Sequence, residues 1–285
     1  MCLFSALMTS PLSAGSLKRN LSGKMAVNNC NQLKDRFSAY ADTFITESEN
    51  AGPFVLKKEH TFRVCRNSRE IAETIGLCGK DLLMAETAAL FHDIGRFPQF
   101  LEYGTFVDAV SANHAALSCR VIDEKKFLDG WDPEEKKRIK DAVFYHNMYA
   151  PPAGIEEATL LLTELLRDAD KLDILDVITR RYLSVDKEAD NYIYLYLKDD
   201  GNVSTDILED LFQRRAADGS NVQRLNDLKL LQASWIFDLN FDVSIQKTIA
   251  NGYMEKIFSS MPESDELNHA KTIIDWYIAE KTGRQ

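Results

Sequence analysis

A chain of 285 residues, 45% hydrophobic and 27% charged, has the balance of a globular protein and enough apolar side chains for a sizeable core. A formal charge of −10 excludes broad binding to a nucleic-acid backbone, which needs a basic face, and leaves room only for a local basic pocket that takes one small anion. Five cysteines (Cys2, Cys30, Cys65, Cys78, Cys119), odd in number and without a CxxC pair, fit free thiols in a reducing compartment.

The first 28 residues are rich in Ser, Gly and Lys and are expected to form a disordered leader, with Met25 as an alternative start. Their apolar stretch is short and interrupted by Thr9, Ser10 and Pro11, unlike a signal peptide. No apolar run approaches the roughly 18 residues that cross a bilayer. The expectation is a cytoplasmic protein without membrane contact.

From Asn29 the pattern turns helical, with Leu33, Phe37, Tyr40, Ala41 and Phe44 at three- and four-residue spacing. "ENAGPF" interrupts it, and a second helix is predicted from about Lys58 to Ile75, ending at "GLCGKD". "DLLMAETAALFHDIG" (81–95) is apolar nearly all round, which marks a central buried helix with Asp81 as its cap. "RFPQFLEYGTF" then predicts a loop with one aromatic turn. Helices follow at about 111–125, 133–147 and 156–178, the middle one announced by "DPEE".

Beyond residue 180 the texture changes. "NYIYLYLKDDGNVS" (191–204) alternates aromatic and aliphatic residues up to Asp200-Gly201 and predicts a small β-hairpin. Helices resume at about 204–216, 223–234 and 264–281, the last capped by Ser264 or Asp265. The fold class is therefore all-α. It comprises a leader (1–28), a helical core (29–185) and a C-terminal elaboration packed on that core (186–285), with one small hairpin.

Histidine is scarce: His60, His92, His114, His146 and His269. The first four fall on, or at the end of, four separate predicted helices. Asp93 adjoins His92, and "RDADKLDIL" adds Asp168 and Asp170 on a further helix. Helical bundles build metal sites from side chains on facing helices, and imidazoles with carboxylates suit divalent transition metals. His269 reads as part of a solvated helix face. Asp168 reads as an ion-pair partner of Arg167 or Lys171.

His60, then His92-Asp93, then Asp170 in "ADKLD" resembles the H…HD…D signature of the HD-domain superfamily of metal-dependent phosphohydrolases, and "HDIGR" is similar to the family form HDIGK. The likeness spans about residues 55–180, and His114 and His146 fall where the two-metal branch carries two further histidines. The resemblance implies two divalent ions (manganese, iron, zinc, cobalt, nickel or magnesium). One would be held by His60, His92, Asp93 and Asp170, the other by Asp93, His114 and His146, with Asp93 bridging. It further implies in-line attack on a phosphate ester by a metal-activated water. Arg96 and Lys171 are the candidates to neutralise the phosphoryl oxygens, with Asp93 at the reacting centre. The expected partner is a small phosphate-bearing substrate such as a nucleotide.

The chain departs from the HD-GYP type, because "YHNMYAPPAG" carries one histidine and no GYP triplet; cyclic-di-GMP is therefore in doubt as the substrate. Two alternatives share the ligand set: an HD-fold di-iron oxygenase, and a nucleotide-sensing module without turnover. The aromatic loop 97–106 (Phe97, Phe100, Tyr103, Phe106) is open between stacking on a base and packing in the core. The "NYIYLYL" ribbon and the segment Trp235–Phe241 are open between a lid and a homodimer contact.

Overall fold

The computed structural model describes residues 14–184 and 197–283, and in its first helix the side chains from Cys30 onward. Twelve α-helices occur among the described residues, and no strand does. In chain order they are α1 (Ala14–Glu47), α2 (Gly52–Thr74), α3 (Gly79–Phe91), α4 (Arg96–Tyr103), α5 (His114–Glu124), α6 (Pro133–Tyr145) and α7 (Glu157–Tyr182). They continue as α8 (Thr205–Phe212), α9 (Leu225–Ser234), α10 (Asp242–Ala250), α11 (Tyr253–Ser259) and α12 (Asp265–Thr282).

The centre is α3. Ala85, Ala88, Ala89, Leu90 and Phe91 are all buried, because α1, α2, α6 and α7 pack around every face of this helix. Helix α1 supplies Cys30, Leu33, Phe37 and Ala41 at the spacing of one helical stripe. Helices α10 and α11 lie against α7, and a single apolar cluster runs from Leu33 to Ile274.

Local chemistry explains most helix boundaries. Pro53 sits in the first turn of α2, where its missing N–H is no loss, so the helix starts at Gly52 rather than near Lys58. Asp132 and Glu135 close a capping box on α6, and Ser264 caps α12 through the Leu267 amide. Helix α3 begins at Gly79 with Asp81 inside its first turn rather than at its cap. Helix α1 begins at Ala14, ahead of the expected start near Asn29.

One expectation needs correction, and a second falls partly outside the described residues. The stretch 97–106 is largely the helix α4, not a loop: Phe97 is fully buried and packs against Phe37, Tyr40, Phe44 and Phe54. Phe100 packs edge-on to Phe54, so neither ring is free to stack on a base. The aromatic half of the predicted hairpin, 191–196, lies outside the described residues. Its second half forms only an isolated bridge between Lys198 and Arg224. Asp200 there accepts from the Asn202 amide in a tight turn, and the chain enters α8 from Ser204, which binds both oxygens of Asp227. Among the described residues no helix is long and apolar enough to cross a membrane.

Candidate metal centre

Five helices deliver six side chains to one spot. His60 comes from the middle of α2, His92 caps the C-terminus of α3 with Asp93 next to it, and His114 opens α5. His146 caps the end of α6, and Asp170 lies mid-way along α7. Three overlapping groups of these residues bring one donor atom each within 4.8 Å of one another: His60–His92–Asp93, His92–His146–Asp170 and Asp93–His114–His146.

Gly95 makes this convergence possible. A Cβ there would lie 2.4 Å from the Ser118 amide and 2.5 Å from the His114 carbonyl, so only glycine lets the start of α5 press against the doublet. The Gly95 amide donates to Ser118 Oγ, which in turn donates to the His92 carbonyl and locks that contact.

Each histidine is oriented by its Nδ1. In His60 this nitrogen donates to Asp173 Oδ2 at 2.6 Å, and in His114 to Asp108 Oδ2 at 2.6 Å. His92 and His146 each donate to the carbonyl three residues back, Ala89 at 2.8 Å and Val143 at 2.6 Å. Those bonds turn all four Nε2 atoms inward, the usual arrangement by which outer hydrogen bonds aim metal-binding imidazoles.

The inward atoms have metal-like spacing. His60 Nε2 is 3.1 Å from Asp170 Oδ1, 3.3 Å from His92 Nε2 and 3.5 Å from Asp93 Oδ2. His92 Nε2 is 3.6 Å from Asp170 Oδ1 and 3.7 Å from Asp93 Oδ2. Donors about 2.1 Å from one ion stand about 3.0–3.5 Å from each other in octahedral or tetrahedral geometry. On the other side, Asp93 Oδ1 is 3.5 Å from His114 Nε2, which is 3.2 Å from His146 Nε2. The two oxygens of Asp93 thus face two different sets of donors.

Electrostatics point the same way. Burial pushes His146 down to about 3, with His114 and His92 adding to the effect, and burial with Arg96 pushes His114 down. Both rings are neutral with their one proton on Nδ1, so two bare nitrogen lone pairs face each other. A cation bound beside them would satisfy both. Asp170 Oδ1 is buried and accepts no aligned hydrogen bond. Burial works to raise Asp93 and Asp170, but their neighbours hold both well below the usual carboxylate range: Lys57, the His92 ring and Arg96 for Asp93, the close-set His60 and His92 rings for Asp170. His60 is pushed up to about 10: burial and Lys57 oppose the shift, and the Asp170, Asp173 and Asp93 carboxylates set against its two nitrogens outweigh them. Orphaned acceptors, spacing and the nitrogen–oxygen donor set all fit a divalent metal.

A family model described as HD domain matches residues 58–175. Residues 58–175 form an HD domain. Its superfamily consists mostly of metal-dependent phosphohydrolases, and the His/Asp cluster fits an HD-type metal site. No curated protein and no solved structure matches the chain.

Within the HD domain the two cationic candidates part company. Arg96 stands beside the cluster, with Nε 3.4 Å from Asp93 Oδ1. Its Nη1 is spent on Gln99 Oε1, the Phe106 carbonyl and Asp108 Oδ1. Lys171, expected to face substrate, points away and pairs with the side chain and carbonyl of Asp238. The reason is helical: one residue past Asp170 rotates the side chain by about 100° around α7. Asp168 caps the Asn240 and Phe241 amides rather than ion-pairing. His269 is exposed on α12 against Phe212, apart from the cluster.

Five further residues shape the site. Asp173 and Arg63 form a chain behind His60, with Arg63 Nε 2.6 Å from Asp173 Oδ1. Asp108 holds His114. Arg167, buried, ties the His146, Met148 and Tyr149 carbonyls to Asp238. Lys57 Nζ donates to Asp93 Oδ2 at 2.7 Å. A signal for two of these lay in the spacing: Lys57–His60 and Asp170–Asp173 are each three apart on a helix, and so share a face.

Proposed function

We infer that the HD domain hydrolyses a phosphate ester of a small anionic substrate, a nucleotide being the favoured kind, at a dinuclear metal site. The observation that carries this reading is Asp93, whose oxygens face separate donor sets. His60, His92, Asp170 and Asp93 Oδ2 would hold one ion, and His114, His146 and Asp93 Oδ1 the other. Divalent ions bound there supply an activated water at neutral pH and a counter-charge for phosphoryl oxygens.

The chain's own residues do the rest. Asp173, Asp108 and the Ala89 and Val143 carbonyls keep a proton on each Nδ1 and so keep Nε2 basic and aimed. Asp93 stays ionised because Lys57 and Arg96 flank it. Arg96, braced by Asp108 and Gln99, presents a fixed positive charge at the edge of the cluster, where the equatorial oxygens gain charge.

Metal analysis of aerobically and anaerobically purified protein, paired with a panel of phosphate esters and nucleotides, tests the reading. Two equivalents of metal, with hydrolysis that vanishes in Asp93→Ala, are expected. Iron with O₂ uptake and no hydrolysis, or stoichiometric nucleotide binding without turnover, overturns it.

A further inference from the structure

Two cations touch the carboxylate of Asp93, and they are held differently. The Arg96 guanidinium is a strut, with Nη1 shared among Gln99, Phe106 and Asp108. Lys57 Nζ has Asp93 Oδ2 as its only hydrogen-bond acceptor among the described residues. Past it stands the ring of Phe106, its centroid 5.3 Å from Nζ.

The oxygen that Lys57 uses also faces His60 Nε2 at 3.5 Å and His92 Nε2 at 3.7 Å. An ammonium and a divalent cation compete for Oδ2, and in a buried site their mutual repulsion is weakly screened. The fixed ligands favour the divalent ion, which four inward donors surround, over an ammonium that touches one. A divalent ion in that pocket would therefore displace Lys57 from Oδ2.

The released side chain has one direction open. The ligand histidines have side chains at most 7% exposed, so the interior is closed to it. Exposure rises on the rim: Lys57 18%, Asp170 19%, Arg96 14% and Asp108 29%. Of the rim's cations Arg96 is braced, while Lys57 ends a four-carbon stem with rotatable bonds. Any anion that reaches the cluster crosses this rim.

We propose that Lys57 binds the phosphoryl oxygens of the substrate, and that its pairing with Asp93 is the resting position it leaves when the cation pocket fills. The inference rests on the phosphohydrolase reading. It adds a binding residue that lies one residue before the matched HD segment and outside the metal-ligand set. The ligand class is a phosphoryl group with at least two free oxygens, one for the ammonium and one for the cluster.

Calorimetric titration of the manganese-loaded full chain with inorganic phosphate tests it, in wild type, Lys57→Met and Lys57→Arg. Lys57→Met is expected to keep the wild-type manganese stoichiometry and to bind manganese at least as tightly, since nothing then competes for Oδ2. Its phosphate affinity should fall by about ten- to a hundredfold, the usual cost of a lost charge-assisted bond, and Lys57→Arg should recover most of it. Lys57→Met with wild-type phosphate affinity overturns the proposal. So does Lys57→Met that loses manganese, which would make Lys57 a structural part of the pocket. Both outcomes leave the phosphohydrolase reading standing, whereas wild type that binds neither manganese nor phosphate brings down that reading and the role of Lys57 with it.

Discussion

Asp173 Oδ2 lies 2.6 Å from His60 Nδ1, and this contact between residues far apart in the chain decides which nitrogen of His60 faces the cluster. Arg63 holds Asp173 from behind, so the imidazole is fixed through two successive ion-paired bonds. Asp173→Asn keeps the shape and removes the charge that makes Nε2 basic. Its metal affinity is expected to fall about ten- to a hundredfold, with the helical circular-dichroism spectrum unchanged. Unaltered manganese affinity by calorimetry would remove Asp173 from the site.

Gly95→Ala tests the contact that brings α5 to the doublet. The added Cβ would meet backbone atoms at 2.4 and 2.5 Å, which no side-chain rotation relieves. The expected cost is about 3 kcal/mol, the upper end for overpacking. That corresponds to a fall in Tm on the order of 6–12 °C. Metal binding should weaken too, since His114 must move. Thermal unfolding with and without manganese measures both effects.

His60 makes metal binding pH-dependent. Its folded-state value of about 10 lies above the ordinary value of 6.5. In metal-free protein its proton therefore contributes stability that is fully present below pH about 6.5. That contribution is lost as pH rises through about 10. Coordination through Nε2 needs that proton removed. Metal binding near pH 7.5 is expected to release about one proton, read from calorimetry in buffers of different ionisation enthalpy. Affinity should rise with pH over this window. Binding without proton release would contradict Nε2 ligation by His60.

Asp238 pairs with two buried cations, Arg167 and Lys171. Asp238→Ala strands both. Removing one partner of a fully buried pair costs about 3–5 kcal/mol, and Asp238 is 28% exposed, so about 2–4 kcal/mol is expected. Urea unfolding measures the loss. The His146 end of α6 should loosen with it, because Arg167 binds the His146 carbonyl. Replacing Lys171 alone by Met should disturb stability and leave phosphate affinity unchanged, as its side chain points toward Asp238 rather than the cluster.

Much of the fold was legible because helices announce themselves locally. The stripe of α1, the capping box of α6 and the Ser264 cap of α12 arise from residues within one or two turns. The misread stretch 97–106 shows the limit of such reading. Its glycine and proline suggest a loop, yet Pro98 sits in the first turn of α4, where it is tolerated, and Phe97 is drawn into the core by four aromatic rings from α1 and α2.

The sequence by itself determined the helical class, the rarity and order of the histidines, and the doublet at the end of the most apolar helix, because these depend on residue type and on spacing along one chain. Only the tertiary structure decided which atoms meet. It turned all four Nε2 atoms inward, split the two oxygens of Asp93 between two donor sets and sent Lys171 to Asp238. It also set Lys57 against Asp93 and Asp173 behind His60. The physical reason is range. Helical periodicity is set within a few residues, whereas the partner of a buried charge is set by packing between helices, here across 36 positions for Lys57 and 113 for His60.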